Sequence, residues 1–285
     1  MTDILITGGT GFFGNAFVEK VLETGEYERV CIFSRDEYKQ HLMREKFYNH
    51  PSLRFFIGDV RDRDRLTRAM QGIDVVIHAA ALKRIEVGAY NPDEMVKTNI
   101  IGTMNVIDAA CSAEVKRVVF LSSDKAWQPC SAYGQSKALA ESLILSANDM
   151  YDKAGPTFHV TRYGNVAGST GSIIPVWRNR ISEGKHITVT DPRCTRFWMT
   201  AQQAVDLVFG AADTWSDDEK EVRLHIPKLP AFRIGDLAEA MGAEAIDVVG
   251  LRSFEKLHEG MCDGNTSDIA GLLTVKELKS ALESV

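Results

Sequence analysis

The chain has 285 residues, 45% of them apolar and 25% charged, with a formal net charge of −6. That length suits one large α/β domain, or a core with a smaller lobe, and buries enough surface to fold without disulfides or metal. The mild acidity offers no basic footprint for nucleic acid, and no apolar run reaches the roughly 18 residues of a membrane span. The cysteines (Cys31, Cys111, Cys130, Cys194 and Cys262) are scattered without a CxxC pair, which suits a reducing compartment. The opening MTDILITGGTGFFG reads as a strand and a glycine turn rather than a signal peptide. A cytoplasmic protein with no membrane or nucleic-acid partner and no metal is expected.

Strand-length apolar runs alternate with helical segments. Ile4–Thr7 reads as a strand and Asn15–Glu23 as a helix. Arg29–Phe33, Leu53–Ile57 and Asp74–Ala79 continue the strands, separated by helices at Asp36–Tyr48 and Arg61–Met70. A long helix at Asp93–Ala113, a strand at Val118–Leu121, a helix at Ala132–Ala147 and a strand at Thr157–Arg162 complete the series. This alternation predicts βαβ units and a parallel sheet covered on both faces, an α/β doubly wound Rossmann fold. Beyond Arg162 glycines cluster at Gly164, Gly168 and Gly171, and Ser216–Glu221 reads as a polar surface connection. The expected division is a nucleotide-binding core over residues 1–165, rejoined by 195–215, and a smaller substrate lobe over 166–194 and 216–285.

Thr7-Gly8-Gly9-Thr10-Gly11-Phe12-Phe13-Gly14 reads T-G-x-x-G-x-x-G between a strand and a helix. Gly8 suits the tight turn, Gly11 a close approach to a pyrophosphate, and Gly14 close helix–strand packing. The second strand ends in Ser34-Arg35, where an NAD site usually places an acid; a hydroxyl and a guanidinium favour NADP over NAD. Asp59-Val60, after the third strand, is expected beside the adenine.

Tyr133-Gly134-Gln135-Ser136-Lys137 is a Y-x-x-x-K, which puts both side chains on one helix face. An ammonium near a phenol lowers its pKa and readies it to exchange a proton with a sugar hydroxyl. Asp124 and Lys125 follow the strand ending Leu121-Ser122-Ser123. This extra acid–base couple is what elimination of water requires, beyond simple alcohol oxidation or epimerisation.

These motifs, with SRDEYKQ (34–40), RFFIGDVRDRDRL (54–66), IHAAALKR (77–84), NPDEMVKTNIIGTMNVIDAA (91–110), SSDKAWQPCSAYGQSK (122–137), TRYGNVAGSTGSIIP (161–175), TRFWMT (195–200) and EKLHE (255–259), are similar in content and order to the inverting UDP-N-acetylglucosamine 4,6-dehydratases. That family is of the extended short-chain dehydrogenase/reductase type. The resemblance implies tightly held NADP and a UDP-sugar substrate. Tyr133, helped by Lys137, would support oxidation at C4. Lys125 would take the C5 proton, and Asp124 would protonate the departing C6 hydroxyl. The hydride would return to C6, with C5 reprotonated from the opposite face.

The resemblance also implies a cofactor site including Gly8, Thr10, Gly11, Phe12, Phe13, Gly14, Ser34, Arg35, Lys39, Asp59, Val60, Ala79, Ala80, Ala81, Lys83 and Asn99. Its substrate site would include Lys83, Ser123, Asn165, Ser172, Ile173, Pro175, Arg178 and Thr190. Arg196, Arg252, Lys256 and Glu259 would hold the nucleotide diphosphate and ribose. The chain departs from the family at Phe12, Ser123, Arg84 and Ser253-Phe254, and in the stretch after Glu259. Competing readings are a related epimerase, a dehydratase that stops at an unsaturated sugar, and a non-catalytic NADP-binding protein. A homo-oligomer is expected, as in relatives.

Overall fold

In the computed structural model, which describes residues 2–151, 155–213 and 223–285, the apolar runs assemble as a parallel sheet. Its strands are β1 (Thr2–Thr7), β2 (Tyr27–Ser34), β3 (Leu53–Ile57), β4 (Val75–His78), β5 (Arg117–Leu121) and β6 (Thr157–Thr161), with Leu224–His225 as a seventh. The spatial order is Leu224–His225, β6, β5, β4, β1, β2, β3. Every pairing is parallel. This is the doubly wound Rossmann order with one added edge strand.

The interleaved helices are α1 (Phe12–Thr24), α2 (Glu37–Lys46), α3 (Arg63–Ala69), α4 (Ile85–Tyr90), α5 (Pro92–Met95), α6 (Gly102–Ser112) and α7 (Ala132–Met150). Side chains alternate across each strand. Ile4, Ile6, Val30, Ile32, Ile77 and Val119 therefore face one core with Phe17, Val18, Val205 and Val208. Leu5, Phe33, Val76, Val118 and Phe120 face the other with Leu66, Val106, Ala140 and Ile144.

Local chemistry starts the helices where the spacing predicts. Asp36 caps α2 by accepting from Lys39 N–H at 3.1 Å, and Asp62 caps α3 from Arg65 N–H at 2.9 Å. Ser131 caps α7 from Gly134 N–H at 3.1 Å. The long helix expected over Asp93–Ala113 is divided: α5 and α6 are joined by a π-helical segment, Val96–Ile101. The short α4 was not predicted, because its residues carry no amphipathic period.

The smaller lobe has its own core of Trp177, Ile187, Cys194, Trp198, Phe232, Leu237 and Leu278. The expected division shifts in two places. Thr195–Met199 pairs with Ala231–Arg233 and Asn165–Val166 in a separate sheet, although the following helix, Ala201–Asp213, packs on α1, β5 and β6. Leu224–His225, expected in the lobe, joins the main sheet beside β6. The polar connection expected at Ser216–Glu221 lies outside the described residues.

A buried ion pair joins the two parts. Arg162, just after β6, pairs with Glu141 of α7 and donates to the Met261 carbonyl in the strand Gly260–Cys262. Removing one partner strands a buried charge, whereas removing both does not. Glu141→Gln should cost about 3 kcal/mol in denaturant unfolding, and Glu141→Gln with Arg162→Met together should recover most of that loss. Equal losses in the single and double variants would contradict this account.

Candidate active site

The strand order reverses between β1 and β4, so the loops after these strands diverge and leave a crevice at the carboxyl edge of the sheet. A cleft of about 980 Å³ occupies it and continues under the smaller lobe.

The glycine turn forms its floor. Gly8 has φ +68, and a Cβ there would lie 2.8 Å from Ala80 Cα, so the turn lies against the loop after β4. A Cβ on Gly14 would lie 2.1 Å from the Gly9 carbonyl oxygen. Gly11 is the N-cap of α1 and supplies no side-chain cap. The first amides of α1 thus meet the cleft without a protein side chain across them, an arrangement that fits a pyrophosphate. Phe12 lines the cleft, and Phe13, also in its wall, stacks on Phe17 at 5.4 Å.

At the end of β2, Ser34, Arg35 and Lys39 border the cleft. Asp36 is occupied by capping α2 and lies 3.7 Å from the Lys39 ammonium. Ser34 Oγ accepts from Gln40 Nε2 at 3.0 Å, and Arg35 is 3.6 Å from Asp59. The rim thus presents a hydroxyl and two cations, each cation paired with a carboxylate of the same rim. Asp59, Val60, Ala79, Ala80, Ala81 and Lys83 complete this wall.

Asn99 is not in the wall. It is buried in the π-helical segment, where its Oδ1 accepts from Leu82 N–H at 2.8 Å. Its Nδ2 donates to the Leu82 carbonyl and to Ser136 Oγ, each at 2.9 Å. Both ends of the amide are spent on holding the 79–84 loop against α7. The structure places Asn99 as a clasp behind the expected cofactor wall.

The turn after β5 carries the polar chemistry. Ser123 Oγ donates to Asp124 Oδ1 at 2.9 Å, and Lys125 Nζ donates to the same oxygen at 2.9 Å. Asp124 is fully buried, and its Oδ2 makes no hydrogen bond. Burial alone would lower the Lys125 pKa, but Asp124 and Glu259 outweigh it, against an opposing Arg196, and the pKa is raised. Burial raises the Tyr133 pKa, partly offset by Ser123 and Lys125. Lys137, from the same face of α7, donates to the Leu121 carbonyl at 2.5 Å and lies 3.9 Å from the Phe120 ring centroid. Burial pulls its pKa down to about 7, and Glu141 pulls the other way.

The far wall comes from the smaller lobe. Asn165 Oδ1 is 3.5 Å from Lys125 Nζ. Ser172 begins the helix Ile173–Ser182 without capping it, and its buried hydroxyl has no partner. Ile173 and Thr190 line the same wall. Pro175 and Arg178 do not. The helix turns Ile174, Val176 and Trp177 to the cleft, and Arg178 caps the last helix by donating to the Leu282 and Val285 carbonyls at 2.8 and 2.7 Å. Arg196, Arg252, Lys256 and Glu259 all reach the cleft. Arg196 is partly spent on the Thr195, Leu257 and Lys256 carbonyls. Arg252 spans the mouth to Glu86 of α4 at 3.7 Å. The sequence reading missed Ser122, Tyr163, Trp198 and Phe254 in this wall. Of these, Ser122, a buried hydroxyl without a partner beside Ser123, carried the clearest signal.

A family model described as "Polysaccharide biosynthesis protein" matches residues 4–272. The chain belongs to this family. It is 44% identical over 94% of its length to a Campylobacter jejuni UDP-N-acetylglucosamine 4,6-dehydratase (inverting), covering 79% of that protein. It is 41% identical over 90% of its length to a Rickettsia rickettsii UDP-glucose 4-epimerase, covering 76% of it. Among solved structures, Pen from Bacillus thuringiensis superposes with a TM-score of 0.92 at 36% identity, covering 100% of this chain and 98% of that one. The fold is shared with the Streptomyces venezuelae DesIV dTDP-glucose 4,6-dehydratase at a TM-score of 0.79 and 23% identity, over 90% of this chain and 87% of that one.

The buried Lys137 gives a stability test. Its pKa falls from 10.5 to about 7 on folding. As pH drops through that window, the unfolded chain binds a proton that the folded chain does not, so stability falls; below it the loss is constant. Lys137→Met should raise the unfolding free energy at neutral pH by about 2 kcal/mol and flatten its rise between pH 7 and 10. A less stable variant with the same pH slope would show that the amine is not buried neutral.

Proposed function

We propose that the protein is an NADP-dependent UDP-N-acetylglucosamine 4,6-dehydratase that inverts C5. Sequence similarity alone does not choose between dehydratase and epimerase, because identities of 44% and 41% are nearly equal. The observation that carries the choice is the Asp124–Lys125 couple, closed at 2.9 Å in the wall beside Tyr133. An epimerase moves hydride at one carbon and gives such a couple no task. A dehydratase must take a proton from C5 and give one to the C6 hydroxyl.

A bound nicotinamide dinucleotide supplies a hydride acceptor for C4 and, later, a hydride donor for C6. Tyr133 takes the proton of the C4 hydroxyl, with Ser123 in the same wall. Lys137 lines the same wall, held against the Leu121 carbonyl and the Phe120 ring. The C4 carbonyl then acidifies C5–H. Lys125 accepts that proton, and Asp124 protonates the leaving C6 oxygen, so that water departs. Arg196 and Arg252, with Lys256, bind the diphosphate side of the substrate.

NADP is favoured over NAD because the rim after β2 offers Ser34, Arg35 and Lys39, while Asp36 is committed to its cap. We place the enzyme in the cytoplasm, where its cysteines, all free, stay reduced. We assign it as a homo-oligomer through the exposed Ile101, Met104 and Leu139.

Incubation with UDP-N-acetylglucosamine in deuterated water, without added reductant, should give loss of one water, a new C6 methyl signal and deuterium at C5. An unsaturated product without the methyl would mean that the hydride is not returned. Change at C4 alone would mean epimerisation. For the cofactor, Arg35→Ala should weaken NADP binding about 10-fold or more and leave NAD binding within about 2-fold. Equal loss of both would remove the argument for NADP.

A further inference from the structure

One buried carboxylate in the cleft has no task in the chemistry above. The Glu259 side chain is 5% exposed; its Oε1 is 3.7 Å from Lys125 Nζ, and its Oε2 is 3.4 Å from Lys256 Nζ. Its main chain is fixed: the Glu259 N–H donates to Ser267 Oγ at 2.9 Å, and its carbonyl accepts from Ser267 N–H at 2.7 Å. Lys256 in turn donates to the Trp127 carbonyl at 2.5 Å, on the turn that carries Asp124 and Lys125. Gly260 completes the fit, since a Cβ there would lie 2.7 Å from the Trp127 ring. The EKLHE segment is thus locked to the catalytic turn, with its last carboxylate aimed at the ammonium.

We propose that Glu259 is a positioning residue for proton abstraction, acting as the second counter-charge of Lys125 rather than as a contact to the nucleotide. The proposal rests on the dehydratase reading. The charged and titratable groups facing Lys125 are Asp124 and Glu259 on one side of the balance, with Arg196 and Tyr133; Lys256 is screened by its own pairing with Glu259. With Asp124 alone, moving one proton from Nζ to Oδ1 across 2.9 Å would leave an amine of low proton affinity. The Glu259 carboxylate, 3.7 Å from Nζ, raises that affinity, which a base needs if it is to take a proton from carbon.

The proton count closes. The proton on Nζ passes to Asp124 Oδ1, giving a neutral amine and a carboxylic acid. The C5–H proton then goes to the amine as its bonding pair forms C5=C6. The C6–O bond breaks with its electron pair, and that oxygen takes the Asp124 proton and leaves as water. Lys125 ends as ammonium and Asp124 as carboxylate, the pair seen in the structure.

The test uses full-length protein with its cofactor. Lysine labelled at Cε and Nζ, with the Lys125 signal assigned from Lys125→Arg, reads the protonation directly by NMR. Glu259→Gln should lower the Lys125 midpoint by about one to two pH units and move the acid limb of kcat/KM the same way. It should cut kcat about 10- to 100-fold with KM within about 2-fold, and Glu259→Asp should restore most of the rate. Lys256→Met, which removes the ammonium 3.4 Å from Oε2, should move the midpoint upward and serves if Glu259→Gln does not fold. An unmoved Lys125 midpoint, or a raised KM with unchanged kcat and pH profile, would overturn the proposal in favour of a nucleotide contact. If the wild-type protein leaves UDP-N-acetylglucosamine unchanged, the dehydratase reading fails, and the Lys125 titration still decides the Glu259 pairing.

Discussion

A parallel sheet buried on both faces leaves its strand ends as the place where polar chemistry can meet a ligand, and the rest of this molecule follows from that constraint. The strands bury their side chains in two apolar cores, so polar groups collect at the carboxyl edge. There the chain must turn out of the sheet, and it does so with glycines after β1, a hydroxyl and cations after β2, and the Ser-Ser-Asp-Lys turn after β5. The smaller lobe supplies the far wall of this edge. Inside, the Lys125 ammonium keeps its charge because two carboxylates face it, while Lys137, with its nearest carboxylate already paired to Arg162, is held close to neutrality. Two lysines twelve residues apart are thereby given opposite tendencies by their surroundings alone.

Much of this was legible in the residues. Period and turn chemistry place β1 through β6 to within about two residues, because each strand is a short, mostly apolar or β-branched segment ended by glycine, a helix cap or a polar turn. The glycine turn and the Tyr133–Lys137 face were readable for the same reason: their function depends on spacing along one element. The misses have a common origin. Asn99 lies in a π-helical segment, invisible to a 3.6-residue period, and its amide bonds Leu82 and Ser136. Arg178 and Pro175 sit in a segment that does line the cleft, yet helical rotation gives the lining to Ile174 and Trp177. A linear match assigns a segment to a site; only the turn of the helix assigns its side chains.

The lobe was the least legible part, because its short strands pair across long sequence gaps. Thr195–Met199 meets Ala231–Arg233 and Asn165–Val166, and the segment 255–260 returns to the turn after β5. No local period announces such contacts. They are fixed by a few specific fits, such as Gly260 against Trp127 and the Thr195–Ser267 hydroxyl pair at 2.6 Å.

The bridge between Arg252 and Glu86 across the mouth bears on traffic through the site. Both side chains are about half or more exposed, at 47% and 65%, and their nearest atoms are 3.7 Å apart. Solvent screens such a pair, so it contributes on the order of 0.5 kcal/mol or less, close to thermal energy. Rising ionic strength weakens such a bridge further, so it offers little resistance to passage. On the proposed reading of Arg252, an incoming diphosphate would compete with Glu86 for the same guanidinium, so the passenger itself would loosen the latch on arrival.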